Sequence, residues 1–115
     1  MTDETLGLVQ GTLDLLILQT LSRGESHGYG ISQFIREQTI GRIAVQDAAL
    51  YQALRRLEGR GWVDAEWGLS DNNRKARYYR LTSAGRKQLK VEVDAWRRYA
   101  EAVFLVLDPV VRGTR

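Results

Sequence analysis

The chain has 115 residues, 43% of them apolar and 27% charged, which suits one small globular domain with a modest core and excludes general disorder. It has no cysteine, which excludes disulfides, thiolate metal sites and cysteine nucleophiles, and no run approaches the length of a membrane-spanning helix. The net charge of +3 is unevenly spread: residues 1–50 carry three bases against six acids, whereas residues 51–115 carry fourteen bases against eight acids. A local basic surface of this kind points to an anionic partner.

The start, M-T-D-E-T, is acidic and has no basic n-region, so no signal peptide is expected and the expected location is cytoplasmic. Gly11 to Leu21 then reads as a helix, with Leu13, Leu15, Leu16, Ile17, Leu18 and Leu21 covering most of its circumference. A helix apolar nearly all round is covered on more than one side, either by its own core or by a second subunit. Ser22 to Gly30 is read as a turn-rich connection. Ile31, Phe34 and Ile35 define an amphipathic helix ending near Gly41, and Arg42 to Val45 is a brief extended link.

Asp47 to Leu57 (D-A-A-L-Y-Q-A-L-R-R-L) is the next helix. Leu50, Leu54 and Leu57 make its apolar stripe, Asp47 is the expected N-cap, and Gly59 and Gly61 end it. Ala48, Tyr51, Gln52 and Arg55 lie on its other faces, with little bulk at the first turn. Two helices joined by a short link, the second with a polar outer face, are compatible with a helix-turn-helix.

After Gly61 the period changes. Trp62 to Gly68 alternates, with Val63, Ala65 and Trp67 on one face and Asp64 and Glu66 on the other; Asp71-Asn72-Asn73 is a turn; Lys75 to Leu81 is the return strand. The hairpin has a basic tip, since Arg74, Lys75, Arg77 and Arg80 fall in a stretch without acids. Thr82 to Asp108 is a long helix capped by Thr82 or Ser83, with Pro109 beyond its end. Leu89, Val93, Trp96, Ala100, Val103 and Leu107 form an a/d-type seam along it. At about 26 residues, or roughly 39 Å, it should outreach so small a domain and pack against another molecule. The expected divisions are 1–81, a winged helix domain; 82–108, a helix continuous with it; and 109–115, a frayed tail.

Enzymatic chemistry finds little footing. His27 is the single histidine and sits in a glycine-rich turn, so it is expected to bond locally or touch a phosphate rather than act as a base, and no second metal ligand of the right kind is nearby. Gly28-Tyr29-Gly30 begins a G-x-G, but no strand is predicted before it and the third glycine is missing. Asp64 and Glu66 read as solvated strand residues rather than an acid/base pair. No catalytic residue, metal or cofactor is expected.

Three helices, a basic-tipped hairpin and a further helix give the element order of a winged helix. In that arrangement Gln52 could pair with adenine and Arg55 with guanine, or either could merely hold a phosphate; Ala48 and Ala49 would allow close approach to a thymine methyl, and Asn72, Asn73, Arg74 and Lys75 would lie along the backbone or in the minor groove. A protein-interaction adaptor on the same fold is the competing reading.

The motifs G-T-L-D-L-L-I-L (11–18), H-G-Y-G-I (27–31), L-Y-Q-A-L-R-R-L-E (50–58), G-W (61–62) and N-N-R-K-A-R-Y-Y-R-L-T-S-A-G-R (72–86) resemble the PadR family of bacterial transcriptional regulators. The similarity runs from about Leu8 to Leu107, in a form like the short subfamily that lacks a large C-terminal domain. The family pattern often has Pro where this chain has Gln52, and Gly at Ala48 or Ala49, both on the reading surface. The resemblance implies a mainly α fold with a small β-hairpin (α+β), a winged helix-turn-helix with a long C-terminal dimerisation helix. It implies a homodimer that binds double-stranded operator DNA, usually as a repressor, and often releases it on binding a small aromatic effector. The DNA-facing set so implied is Tyr29, Ser32, Ala48, Ala49, Tyr51, Gln52, Arg55, Asn72, Asn73, Arg74, Lys75 and Arg77. The dimer set is Leu13, Leu16, Ile17, Leu89, Val93, Trp96, Ala100, Val103 and Leu107, with Trp96 also the candidate effector contact.

Overall fold

The computed structural model describes residues 11–108. Four helices and three strands follow in the order α1 (Thr12–Leu21), β1 (Ser26–His27), α2 (Gly28–Gln38), α3 (Asp47–Gly59), β2 (Val63–Leu69), β3 (Lys75–Leu81) and α4 (Ser83–Leu107). The expected mainly α architecture with a small sheet and a long last helix is present. Pro109 and the tail expected to fray lie outside the described residues.

The core gathers the apolar faces of α1, α2 and α3 on the inner ends of the hairpin strands. Ile17, Leu18, Leu21, Ile31, Leu50, Leu54, Leu57 and Val63 are fully enclosed, and Tyr79 and Leu81 close the sheet side. Asp14 on α1 accepts from Arg56 on α3 at 2.6 Å and stands 4.0 Å from Arg60, so an ion-pair cluster ties the first helix to the third. Buried Thr20 satisfies its hydroxyl by donating to the Leu16 carbonyl at 2.8 Å, as a buried donor must.

Three local expectations are corrected. The segment read as a turn contains a short strand, β1, whose Ser26 and His27 pair with Tyr79 and Tyr78 of β3, making an antiparallel sheet of order β1-β3-β2. Helix α2 begins at Gly28, ahead of the first apolar residue Ile31, because the His27 ring nitrogen Nδ1 accepts from the Gly30 N–H at 3.0 Å and caps the helix. On α3 the N-cap is Gln46, with extended backbone and no side-chain cap bond, and Asp47 is the first helical residue. There its carboxylate faces the positive end of the helix dipole instead of capping it.

The end of α2 carries an unusual residue. The Ile40 N–H donates to the Glu37 carbonyl at 3.1 Å and the Gly41 N–H to the Arg36 carbonyl at 2.7 Å, the bond pair of a Schellman motif. That motif places its left-handed residue where glycine is usual, and here the place is held by Ile40 at φ 53°, with 90% of its surface exposed. A β-branched side chain in that region costs about 1–2 kcal/mol, and an exposed one recovers little by burial. Ile40→Gly is therefore expected to stabilise the fold by about 1 kcal/mol, raising the thermal midpoint by several degrees; a lower midpoint would show that the isoleucine makes a compensating contact.

Candidate nucleic-acid interface

The outer face of α3 is formed by default, because Leu50, Ala53, Leu54 and Leu57 point into the core. Ala48, Tyr51, Gln52 and Arg55 are exposed and Ala49 is half-buried. Gln52 and Arg55 border a shallow depression with Arg56. Arg56 is bound to Asp14, whereas Arg55 makes no ion pair among the described residues.

Beside α3 stands the hairpin. Strands β2 and β3 pair from Val63 with Leu81 to Leu69 with Lys75. Of the face shared by Val63, Ala65, Trp67 and Leu69, the first is buried, the second half-buried, and Trp67 and Leu69 are 57% and 65% exposed. The expected alternation holds, but its outer half leaves the core, so the hairpin projects as a wing. Its tip is internally bonded: Ser70 donates its N–H to the Arg74 carbonyl at 2.8 Å and accepts the Asn73 N–H on its own carbonyl at 2.8 Å. Asn73, at φ 63°, supplies the left-handed residue, which Asn tolerates. Asn72, Asn73, Arg74 and Lys75 are all exposed there.

Arg77 is set apart from these. Its guanidinium bonds Glu58 at 2.8 Å, which clamps the wing to the end of α3 rather than leaving a free cation. Arg80 pairs with Glu66 at 3.2 Å across the sheet. Arg74 has no ion pair among the described residues, and the Lys75 ammonium lies 5.3 Å from the centre of the Trp67 ring, a cation–π contact.

The third wall is the start of α2. Tyr29 is 70% exposed, and half-buried Ser32 donates its hydroxyl to the Tyr29 carbonyl at 3.2 Å. Gly28 makes the junction between α2 and α3 possible. A methyl group on its α-carbon would overlap the Tyr51 hydroxyl and lie 2.7 Å from that ring's Cζ, so the phenol rests directly on the glycine backbone. The His27 ring meets Tyr78 at 5.2 Å. Behind them Tyr79 is buried; desolvation raises its phenol above the ordinary 10.0, against the opposing pull of Arg77, so the hydroxyl stays neutral. Gly28 and Trp67 were not expected at this surface. The G-Y-G segment looked like a turn, and Trp67 read as one more residue of the strand face shared with Val63 and Ala65.

The seam residues of α4 and their α1 companions lie elsewhere. Ile17 has no exposed surface and serves its own core, so it is corrected from the dimer set. Leu13, Leu16 and Leu89 pack on that core while keeping some surface, and Val93, Ala100 and Val103 are half-buried. Trp96 stacks on Tyr99 at 5.9 Å with an interplanar angle of 28°, and Leu107 is exposed.

Three helices with a projecting antiparallel wing, one helix showing a polar outer face beside that wing, define a winged helix-turn-helix. Residues 17–91 match the Transcriptional regulator PadR-like family. The chain belongs to the PadR-like family of transcriptional regulators, a non-enzymatic class. It is similar to an uncharacterized protein of Lysinibacillus sphaericus, 32% identical over 101 residues that cover 88% of this chain and 93% of the relative. Among solved structures it is similar to a transcriptional regulator from Clostridium thermocellum, with TM-score 0.75 and 32% identity over 82% of this chain and 91% of that one. It is also similar to a PadR family transcription regulator from Clostridium difficile, with TM-score 0.72 and 26% identity over 84% and 99% of the two chains. Among the described residues no helix is long and apolar enough to cross a membrane.

Proposed function

We propose that this chain is a cytoplasmic, sequence-specific DNA-binding repressor that works as a homodimer and responds to a small aromatic ligand. The observation that carries the DNA reading is the outer face of α3, where Gln52 and Arg55 stand exposed beside a wing tip bearing Arg74 and Lys75. In a dimer the two copies of α3 enter successive major grooves, roughly 34 Å apart, so the operator is a palindrome.

The residues divide by task. In this reading Gln52 and Arg55, exposed on α3, serve base edges, while Arg74 at the wing tip serves phosphate. Arg74→Ala is expected to weaken binding to all duplexes alike and to lower the salt slope by about one counterion, whereas Gln52→Ala changes base preference at one position by about 1–3 kcal/mol. Binding isotherms on the selected operator and on scrambled duplexes at several salt concentrations check both. A Gln52→Ala protein that loses affinity uniformly overturns the division of roles.

The effector reading rests on Trp96 and Tyr99, a stacked aromatic pair on the long helix away from the wing. A planar ligand held against that pair across a two-fold axis would shift the spacing of the two reading helices. Fluorescence titration with planar aromatics on the wild type and on Trp96→Ala tests it, and unchanged affinity in the variant removes the idea.

A further inference from the structure

Between the first turn of α2, the Tyr51 ring of α3 and the wing lies a groove of about 690 Å³. Its volume falls within the usual range for small-molecule sites, about 300–1,000 Å³. Its walls are aromatic: His27, Tyr29, Tyr51 and Trp67 line it, with Tyr79 at the back. Its rim is cationic, with Arg74, Lys75 and Arg77 on the lining against a single acid, Asp71. Arg77 is already occupied by Glu58, so the charge left for a ligand is that of Arg74 and Lys75. The Lys75 ammonium sits 5.3 Å from the Trp67 ring centre, so a flat molecule touching that indole would bring any substituent within reach of the ammonium.

We propose that this groove binds a planar aromatic anion, its ring against Trp67 and its anionic group on Lys75 and Arg74. Aromatic walls supply the stacking surface, and the Lys75 and Arg74 head groups favour an anion over a neutral or cationic ligand of the same shape. The site is separate from the Trp96–Tyr99 pair, which lies on α4. It also bears on regulation, in a step that rests on the proposed DNA reading: because Arg74 and Lys75 serve both occupants, ligand and duplex exclude each other directly, with no change in the dimer.

The chain contains three tryptophans, Trp62, Trp67 and Trp96, one at the base of the wing, one in the groove and one on α4, so their indole N–H signals report position. The full-length protein is titrated with 2-naphthoate and, separately, with neutral 2-naphthamide, and the three signals are followed by proton–nitrogen NMR, with Trp67→Phe assigning the groove signal. The Trp67 signal is expected to move with 2-naphthoate and to saturate with a dissociation constant on the order of 1 mM or tighter, given the modest size of the probe. Replacing Arg74 and Lys75 together by Gln is expected to weaken 2-naphthoate at least about tenfold and to leave the feebler binding of 2-naphthamide unaltered. The proposal is overturned if the Trp67 signal stays still, if only the Trp96 signal moves, or if acid and amide bind equally well. Two DNA controls separate the readings. A protein that binds 2-naphthoate at Trp67 but no duplex sinks the DNA reading and supports the groove. A protein that binds its operator equally well at saturating 2-naphthoate overturns the direct-exclusion step.

Discussion

Gly85→Ala is expected to destabilise the protein by about 3 kcal/mol and to lower its thermal midpoint by about 10 °C. Helix propensity alone argues the other way, since alanine is favoured over glycine in a helix by about 1 kcal/mol. Packing reverses the sign. Gly85 is buried in the first turn of α4, and a methyl group there would overlap the backbone carbonyl oxygen of Trp62 and lie 3.0 Å from a methyl of Leu81. A carbonyl held in place cannot swing aside as a side chain could. The same turn is fastened at two further points: the Thr82 N–H donates to the Trp62 carbonyl at 3.1 Å, and the Thr82 hydroxyl donates to the Gly61 carbonyl at 2.7 Å while capping Gly85. Lifting α4 off Trp62 to make room therefore costs the cap as well, about 1 kcal/mol in itself. Gly59, the last residue of α3, is the control, because a methyl group there meets nothing within 4 Å and its backbone conformation is an ordinary one. Gly59→Ala should leave the midpoint level or raise it slightly. Calorimetric melts of the two variants decide the matter, and a Gly85→Ala protein as stable as the wild type would mean that the first turn of α4 can move away from the wing.

That contact explains what was legible in the sequence and what was not. The apolar stripes of α1, α3 and the first half of β2 are periodic within a few residues, so each could be read locally, and the helix cap at Thr82 has its own short signature. The strand β1 could not, because its partners Tyr78 and Tyr79 are some fifty residues further along and two residues are too few to show a period. The early start of α2 was hidden for a local reason: its glycines are poor helix formers, and the cap comes from a histidine ring rather than from the usual Ser, Thr, Asp or Asn. Glycine was readable as punctuation but not as close approach: Gly28 under Tyr51 and Gly85 under Trp62 are both fixed by residues from other elements. Charge was readable as a patch but not as pairing, so Arg77 looked free until Glu58 was found beside it. Apart from the local cap at His27, the missing information in each case is a tertiary neighbour.

Converting Phe104 and Leu107 together to Glu is expected to abolish dimerisation and, with it, to weaken operator binding by a hundredfold or more. Both side chains lie in the last turns of α4 and are 59% and 64% exposed in the single chain. Nearby Tyr99, Leu105 and Val106 are also more than half exposed, so the outer end of this helix carries an apolar surface that the described residues leave uncovered. The helix is 25 residues long, about 37 Å at 1.5 Å per residue, and among the described residues Leu89, near its start, is the α4 side chain packed on the core cluster, while Val93, Ala100 and Val103 are half-buried. Because neither residue is enclosed, two glutamates cost the isolated chain little, within about 0.5 kcal/mol. In the proposed homodimer each glutamate is doubled across the two-fold axis, and four carboxylates would have to lose water against an apolar partner, a cost that opposes association. Loss of the second copy removes the tethered second half-site, whose contribution to avidity is about 10²–10⁴ without any new contact. Sedimentation should therefore show a monomer with an unaltered circular dichroism spectrum, and the residual binding should fall to the weak, steeply salt-dependent level of a single domain. A double variant that still sediments as a dimer would move the interface to another face of α4. A monomer that binds its operator as tightly as the wild type would instead show that one copy of α3 and one wing suffice for recognition.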